Sequence, residues 1–246
     1  MRAEESHRAD RLFDDSYAQG FLDAMPETPP AVNQDGGGDL ADLGASLGRH
    51  VVIRTRFFDD YLLDAATAAI WQVVLLAAGL DTRAFRLPWP GGVQLFELDL
   101  PEVLTFKAQV LVLARSGAAP RCGHAMLPVD LRTDWRGALA AAGHDLRQPT
   151  AWLVEGLLIY LTAAEAKRLL ADITATSVPG SRLAFEHGAA ASRMLADDRA
   201  DELPTLRGVT ALWKGGLGED TPNWLDRRGW AAQIHDRAIV AAARTP

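Results

Sequence analysis

VVLLAAGLDTRAFRLPWPGGVQLFELD, residues 73–99, is the stretch that decides the fold of this chain. Its first four residues are apolar without polar alternation, which is typical of a strand covered on both faces at the centre of a parallel sheet. Small residues up to Gly79 follow, and such residues let the backbone approach a ligand closely. A second strand over 93–98 then leads to Asp99. This order of elements predicts a nucleotide-binding α/β fold.

Two acids at the end of the second predicted strand are candidates for ribose binding. A carboxylate about 20 residues after a glycine turn is commonly the group that binds ribose hydroxyls. Asp99 occupies that position and Glu97 is the alternative. We expect one of the two to face the ligand. A solvated strand end beside an ordinary tight turn would fit the same residues.

The turn lacks the features of a dinucleotide site. A G-x-G-x-x-G fingerprint places its third glycine in a full helix packed on the sheet. Here Pro88 and Pro90 end any helix by about Leu87, because proline cannot donate the helical hydrogen bond and disfavours helical geometry before it. The sequence therefore favours a nucleoside-type cofactor without phosphates over a nicotinamide.

Five strings resemble a known family: RTRFFDDYL (54–62), VVLLAAGLDTRAFRL (73–87), FELDLPEVLTFK (96–107), LPVDLR (127–132) and WLVEGLLIYLT (152–162). Together they resemble the S-adenosylmethionine-dependent methyltransferases of the leucine carboxyl methyltransferase-like family, in particular its bacterial O-methyltransferase branch. Residues 11–22 and 212–230 are similar to that branch as well. The resemblance implies a class I methyltransferase fold, which is a Rossmann-like α/β fold with a mostly parallel seven-stranded sheet and helices on both faces.

The resemblance also implies S-adenosyl-L-methionine as cofactor and suggests its contacts. The family's glycine turn falls on the segment from Ala77 to Gly79, and its ribose-binding acid falls on Asp99. Asp130 and Leu131 match the pair beside the adenine. The first glycine of the family's turn is Ala77 here, and we expect the backbone at Ala77 to keep φ below zero, where an alanine is unstrained.

The methionine end of the cofactor is assigned to a glutamate and an arginine. Glu155 matches the family's glutamate at the end of the fourth strand, and the arginine that reaches the methionine carboxylate falls on Arg54 or Arg56. Neighbours two apart on a helix point in different directions, and we favour Arg54. Arg8 and Arg11 are the candidates for a basic residue that the family carries near the amino terminus.

Tyr160 and His187 are the candidate catalytic residues. Both follow predicted strands, although ordinary packing would also explain a tyrosine or a lone histidine at these positions. A carboxylate acceptor is already nucleophilic at neutral pH and needs positioning. A hydroxyl acceptor needs a general base, which His187 or Glu155 would have to supply.

Composition restricts the class of protein. With 246 residues, a net charge of −7 and a pI near 5.4, the chain is a poor candidate for nucleic-acid binding, which depends on clustered cations. Cys122 is the single cysteine, so we expect neither an intramolecular disulfide nor a thiolate metal centre. The sequence contains no His-x-x-His spacing, so we do not expect a catalytic metal site. Without an apolar run of spanning length or a signal-like start, we expect a cytoplasmic protein that does not bind membranes.

We predict a single domain over 1–246. An amino-terminal helix is expected up to about residue 25, followed by a Pro- and Gly-rich loop at 26–39 that could cover the cofactor, so that 1–50 holds this helix and a possible lid. Helices are predicted at 49–70, 101–115 and 162–177. Residues 188–222 are a possible substrate-recognition region.

The combined prediction is methyl transfer from S-adenosylmethionine to an oxygen, a carboxylate or hydroxyl, of a small molecule. A catalytically silent module that binds the cofactor is the first alternative, and a nicotinamide-dependent oxidoreductase is the second. The sequence does not indicate an oligomeric state.

Overall fold

The computed structural model describes residues 1–25, 38–113, 119–186, 212–235 and 238–244, with side chains from residue 48 onward in the second range and without that of Glu219. Seven strands form one sheet: β1 Gln72–Leu76, β2 Gln94–Asp99, β3 Gly123–Pro128, β4 Thr150–Val154, β5 Arg182–Glu186, β6 Trp230–His235 and β7 Ala238–Ala243. The helices are α1 Arg2–Ser6, α2 Ala18–Asp23, α3 Gly38–Thr67, α4 Arg83–Arg86, α5 Pro101–Leu113, α6 Trp135–Ala141, α7 Ala163–Ala175 and α8 Thr221–Asp226.

The strand order is β3-β2-β1-β4-β5-β7-β6. Strands β1 to β5 pair in parallel, whereas β7 is antiparallel to both β5 and β6. The order reverses at β1: the chain runs outward from β1 through β2 to β3, and then returns to the other side of β1 as β4. In open α/β sheets a ligand crevice forms at such a switch point, beyond the carboxyl ends of the strands. The predicted seven-stranded, mostly parallel α/β fold is confirmed.

Strand β1 is buried on both faces, as its sequence predicts. Val73 and Leu75 belong to one apolar cluster, and Val74 and Leu76 belong to the other, because successive side chains of a strand point to opposite faces. The first cluster includes residues of α3 and α5, and the second includes residues of α6, α7 and α8. The sheet therefore has helices on both faces, and its carboxyl-terminal edge is left to form a cleft.

The amino-terminal segment differs from the single helix that we predicted. It contains only the short helices α1 and α2, and side-chain hydrogen bonds hold the turns between them. Glu5 accepts a hydrogen bond from the amide of Leu12 at 2.6 Å, and the hydroxyl of Ser6 accepts one from the amide of Asp15 at 2.8 Å. Such side-chain bonds compete with the helical pattern, which explains the break.

Other boundaries also differ from the predictions. Helix α3 begins at Gly38 rather than near residue 49. Helix α6 was not predicted. The proposed lid loop falls almost wholly on residues 26–37, and most of the proposed substrate-recognition region, up to residue 211, is also outside the described residues. None of the described helices is long and apolar enough to cross a lipid bilayer.

Candidate active site

Two cavities lie at the carboxyl ends of the parallel strands and share Ala77. The first, of about 230 Å³, is lined by the ends of β1 and β4 together with Gly79, Arg54 and Glu155. The second, of about 640 Å³, extends past Asp99 towards the turns that follow β3 and β4. We call the two cavities together the cofactor cleft, with a smaller and a larger part. It lies at the switch point of the sheet, where α/β folds bind ligands.

Ala77 adopts a left-handed backbone conformation, with φ of +54°. Our expectation of a negative φ at this position is therefore wrong. Just beyond β1, the amide of Ala78 donates to the carbonyl of Leu98 on β2, 3.1 Å away. An L-residue in this region costs about 1–2 kcal/mol, so the position is one that a glycine would fill without strain.

The carboxylate of Asp99 is hydrogen-bonded to the glycine turn. Its Oδ2 accepts a hydrogen bond from the amide of Gly79 at 2.6 Å, and its Oδ1 accepts one from the amide of Leu100 at 2.7 Å. Both bonds orient the carboxylate at the wall of the larger part of the cleft. Glu97, in contrast, is fully buried with Nζ of Lys107, 2.5 Å from its Oε2. Of the two acids, only Asp99 is placed where a ligand could reach it.

The larger part of the cleft brings together three more of the predicted residues: Asp130, Leu131 and Tyr160. Asp130 is held by Arg132, whose Nε lies 2.9 Å from each carboxylate oxygen. These hydrogen bonds lower the pKa of Asp130 to about 2, so the carboxylate stays ionised as an acceptor for an amino group. Tyr160 lies in a short 3₁₀ turn and is 38% exposed. The predicted roles of these residues remain predictions.

Arg54 and Arg56 point in different directions, as expected for their spacing on α3. Arg54 lines the smaller part of the cleft and donates from Nε to Glu155 and from Nη1 to Glu186, each at 2.8 Å. Arg56 is half exposed and pairs with Asp60 one turn further along the helix, at 2.8 Å. The structure thus brings Arg54 to the cleft and leaves Arg56 on the surface.

A buried set of charges forms the floor of the smaller part, and we call it the arginine–carboxylate network. Nε of Arg83 donates to Asp59 at 2.7 Å, and Nη1 of Arg83 donates to Asp81 and, at 2.8 Å, to Glu155. Arg86 also bonds to Asp59, at 2.5 and 2.7 Å. The members of the network are Arg54, Arg83, Arg86, Asp59, Asp81, Glu155 and Glu186. Three positive charges face four negative ones, which leaves an excess of one negative charge.

The charges of Arg83 and Asp81 stabilise each other despite their burial. Burial alone would lower the pKa of Arg83, but the charges of Asp81, Glu155 and Asp59 raise it well above its ordinary value. Burial would likewise raise the pKa of Asp81, whereas the charge of Arg83 lowers it overall. The sequence analysis missed Arg83 as a site residue. The string LDTRAFRL did contain it, but its partners are distant in sequence.

Arg2 is the basic residue of the amino terminus that reaches the cofactor cleft. Its Nη2 donates to the carbonyl of Leu80 at 2.9 Å, and its Nη1 lies 3.0 Å from buried Asp15. The candidates Arg8 and Arg11 lie elsewhere, paired with Asp10 and Asp14 on the surface. The prediction that Arg8 or Arg11 fills this place is wrong, because the break after α1 directs them away from the sheet.

Two further expectations concern catalysis and metals. His187 lies outside the described residues, so its predicted role remains a prediction. Within the ranges that the structure describes, no group of three or more His, Cys, Asp or Glu side chains is arranged to hold a metal ion.

The family model described as leucine carboxyl methyltransferase matches residues 1–174. A relative from Parafrankia sp. (strain EAN1pec) is 47% identical over 98% of this chain and 77% of its own length. A second, from Frankia alni, is 50% identical over 98% of this chain and 84% of its length. Both carry the provisional name of S-adenosyl-L-methionine-dependent methyltransferase.

Two solved structures are similar in fold. A DUF574 family protein from Streptomyces avermitilis has a TM-score of 0.55 at 16% identity, covering 97% of this chain and 100% of its own. Magnesium protoporphyrin IX methyltransferase from Synechocystis PCC 6803, with bound SAH, has a TM-score of 0.52 at 12% identity, covering 80% of this chain and 87% of its own. At these identities the likeness concerns the fold alone.

Proposed function

The chain belongs to the leucine carboxyl methyltransferase family, and from that premise we propose that it transfers a methyl group from S-adenosylmethionine to an oxygen atom of a small molecule. Dependence on S-adenosylmethionine follows from the family and from close relatives, and the nicotinamide alternative has no support among them. The observation that carries the proposal is the cofactor cleft, in which the predicted binding residues from five segments of the chain meet at Ala77.

The residues of the cleft fit the chemistry of this cofactor. The nucleoside would lie in the larger part, where the carboxylate of Asp99 accepts hydrogen bonds from ribose hydroxyls and Asp130 and Leu131 lie beside the adenine. Each oxygen of Asp99 already accepts one backbone hydrogen bond, and each keeps a second lone pair for a hydroxyl. These bonds orient the carboxylate before any ligand arrives.

The methionine end would lie over the arginine–carboxylate network. Nη2 of Arg54 has no hydrogen-bond partner among the described residues, since Nε and Nη1 bind Glu155 and Glu186. We assign this nitrogen, with Arg2 beside it, to the methionine carboxylate. The excess negative charge of the network favours the cationic part of the same ligand. Glu155 lies 2.8 Å from Nε of Arg54 and is shared between the guanidinium groups of Arg54 and Arg83.

The cofactor supplies a methyl group on a sulfonium centre, and the protein would position the acceptor oxygen relative to that methyl group. Alignment of an acceptor oxygen with that methyl group contributes a large part of the rate enhancement in such a displacement. Residues Tyr160 and Leu161 border the larger part of the cleft, and the predicted catalytic role of Tyr160 would be to contact the acceptor there. We treat 1–246 as one domain because both apolar clusters pack on one sheet.

The test has two parts. Calorimetry measures binding of S-adenosylmethionine, and a methyl-tritiated donor is then incubated with small carboxylates and hydroxyl compounds. Methyl esters release volatile methanol in base and methyl ethers do not, so the product class identifies the acceptor atom. The silent-module alternative predicts binding without formation of S-adenosylhomocysteine above the uncatalysed rate. The observation that favours this alternative is the strained backbone at Ala77.

A further inference from the structure

A separate, largely apolar pocket of about 300 Å³ lies on the other side of Arg54 from the cofactor cleft. We call it the His50 pocket. Its wall combines three apolar side chains with two imidazoles: Ile53, Phe57, Ala238, His50 and His235. The carboxylate of Glu186 and the guanidinium of Arg54 complete it. None of these residues except Arg54 belonged to the predicted site.

The His50 pocket adjoins the methionine end of the cofactor cleft. Arg54 lines both spaces. Glu186, at the end of β5, accepts a hydrogen bond from the amide of Gly156 at 2.6 Å, and Gly156 directly follows Glu155 of the cleft. A ligand in the pocket would therefore lie next to the end of the cleft at which the methyl group is expected.

His50 and Glu186 form an imidazole–carboxylate pair in the wall. Nε2 of His50 lies 3.1 Å from Oε1 of Glu186, and both side chains are 23% exposed. Burial would raise the pKa of Glu186, but the hydrogen bond from His50 and the charge of Arg54 bring it down to about 2. The carboxylate is thus an acceptor only, and a neutral His50 must carry its proton on Nε2. No described residue forms a hydrogen bond with Nδ1, which is left as the basic nitrogen.

The charges around the pocket disfavour an anionic acceptor. Arg54 is the one cation in the described wall; Glu186 already pairs with it there, and its remaining nitrogen is assigned to the methionine carboxylate. A carboxylate acceptor would therefore find no unpaired cation in this wall, whereas a neutral hydroxyl needs none. The ring of Phe57 and the side chains of Ile53 and Ala238 suit an aromatic body.

We propose that the His50 pocket binds a neutral aromatic acceptor by its hydroxyl group and that Nδ1 of His50 is the general base. The inference rests on the proposed function and names its acceptor class. As the hydroxyl oxygen forms its bond to the methyl carbon, the carbon–sulfur bond breaks and its electron pair passes to sulfur. The hydroxyl proton passes to Nδ1, and the imidazolium is stabilised by Glu186. Glu155 is less suited to this role because two arginines hold it.

The first test compares matched probes: 2-naphthol and phenol against 2-naphthoate and benzoate, with tritiated donor. We expect at least tenfold faster transfer to the hydroxyl probes, with a rate that rises with pH, because a general base must be unprotonated to accept the hydroxyl proton. The titratable and charged groups that face His50 are Glu186 from β5, Arg54 one turn along α3, and His235 from β6. His50→Asn should lower turnover by about 100-fold or more and abolish the rise with pH.

Two histidine controls separate this effect from other titrations. His235→Asn changes the second imidazole of the pocket and should keep the rise with pH. His7→Asn removes an exposed imidazole that lines neither the cofactor cleft nor the His50 pocket, and it should keep both the rate and the profile. The assignment of the base is overturned if His50→Asn turns over within threefold of wild type. It is also overturned if the increase of rate with pH is lost in His235→Asn instead.

A binding measurement tests the pocket without turnover. Calorimetry of 2-naphthol with protein saturated in S-adenosylhomocysteine should show binding that His50→Asn changes less than threefold. Ile53→Trp, at a side chain 61% exposed, should fold normally, fill the pocket and weaken 2-naphthol binding at least tenfold, with cofactor affinity within twofold. Any one of four results would overturn the inference. These are unchanged 2-naphthol affinity in Ile53→Trp, no 2-naphthol binding to wild type, no methyl transfer to either hydroxyl probe, and faster transfer to the carboxylate probes. Failure of the cofactor to bind would instead count against the proposed function.

Discussion

Nε of Arg83 lies 2.7 Å from Oδ1 of Asp59, and the two side chains are 2% and 5% exposed. The pair joins α3 to α4, so a buried ionic contact fixes the helix that carries Arg54 relative to the short helix that follows the turn at Ala77. Removing one partner from such a pair leaves the other charge buried without compensation, which is strongly destabilising.

Asp59→Asn should therefore lower the free energy of unfolding by about 3–5 kcal/mol, measured by urea denaturation. The neighbouring substitution Asp60→Asn is the matched control, because Asp60 is half exposed and pairs with half-exposed Arg56. It should cost no more than about 1 kcal/mol. Equal losses in the two variants would show that the network does not hold α3.

Asp99→Ala should weaken binding of S-adenosylmethionine by about 1.5–3 kcal/mol, because hydrogen bonds to a charged acceptor are lost. Asp99→Asn, which keeps an acceptor oxygen for the amide of Gly79, checks that the turn itself has not collapsed. Both are measured by titration calorimetry. A dissociation constant equal to that of wild type in both variants would remove Asp99 from the site.

Ala77→Gly should raise the free energy of unfolding by about 0.5–1 kcal/mol, because relief of the left-handed strain exceeds the entropic cost of glycine. Ala69 offers a matched control: it also has a positive φ, of 63°, and is exposed beyond the end of α3. Ala69→Gly should stabilise by a similar amount. If thermal and urea unfolding show stabilisation at Ala69 alone, the strain at Ala77 is offset by contacts of its methyl group.

Arg54→Lys should weaken S-adenosylmethionine binding at least tenfold and leave adenosine binding within twofold, since a point charge cannot reproduce the shaped guanidinium contacts. Arg56→Lys should change neither, because Arg56 faces solvent and pairs with Asp60. Calorimetry with both ligands makes the comparison. If neither lysine variant discriminates between the two ligands, the carboxylate is held elsewhere, and Arg2→Lys becomes the next variant.

Glu186→Gln should make stability less dependent on pH in acid. The folded pKa of about 2 lies below the ordinary value of 4.5, so ionised Glu186 stabilises the fold above about pH 4.5, and this contribution is lost as pH falls towards 2. Urea titrations between pH 6 and pH 3 should give a shallower decline for Glu186→Gln than for wild type. Glu102→Gln, at an exposed acid of α5 without an ion-pair partner among the described residues, is the control. Parallel declines in wild type and Glu186→Gln would contradict the expectation.

Local sequence patterns predicted those elements whose causes are local. The unbroken apolar run of β1 placed it at the sheet centre. The helix predicted from 162 begins at a capping box, in which Glu165 accepts from the amide of Thr162 at 2.8 Å. The helix predicted from 101 begins at that residue, Pro101. In each case the deciding contacts lie within a few residues.

The missed features depend on contacts between distant residues. Arg83 was not predicted as a site residue, because its partners Asp59 and Glu155 lie 24 and 72 positions away. His50 contacts Glu186 across 136 positions. The positive φ at Ala77 was not predicted either, because an alanine does not favour that conformation. Resemblance supplied the cofactor residues, but not the ionic network beneath them.

The excess negative charge of the arginine–carboxylate network also affects how the spent donor leaves. With the donor placed as proposed above, its positive sulfur would be attracted to the network before transfer, and the neutral thioether formed by transfer would lose that attraction. The spent donor would then depend mainly on its nucleoside contacts around Asp99. Because the floor of the cleft distinguishes the two ligands by charge rather than by shape, we expect it to favour replacement of the used molecule by a fresh one.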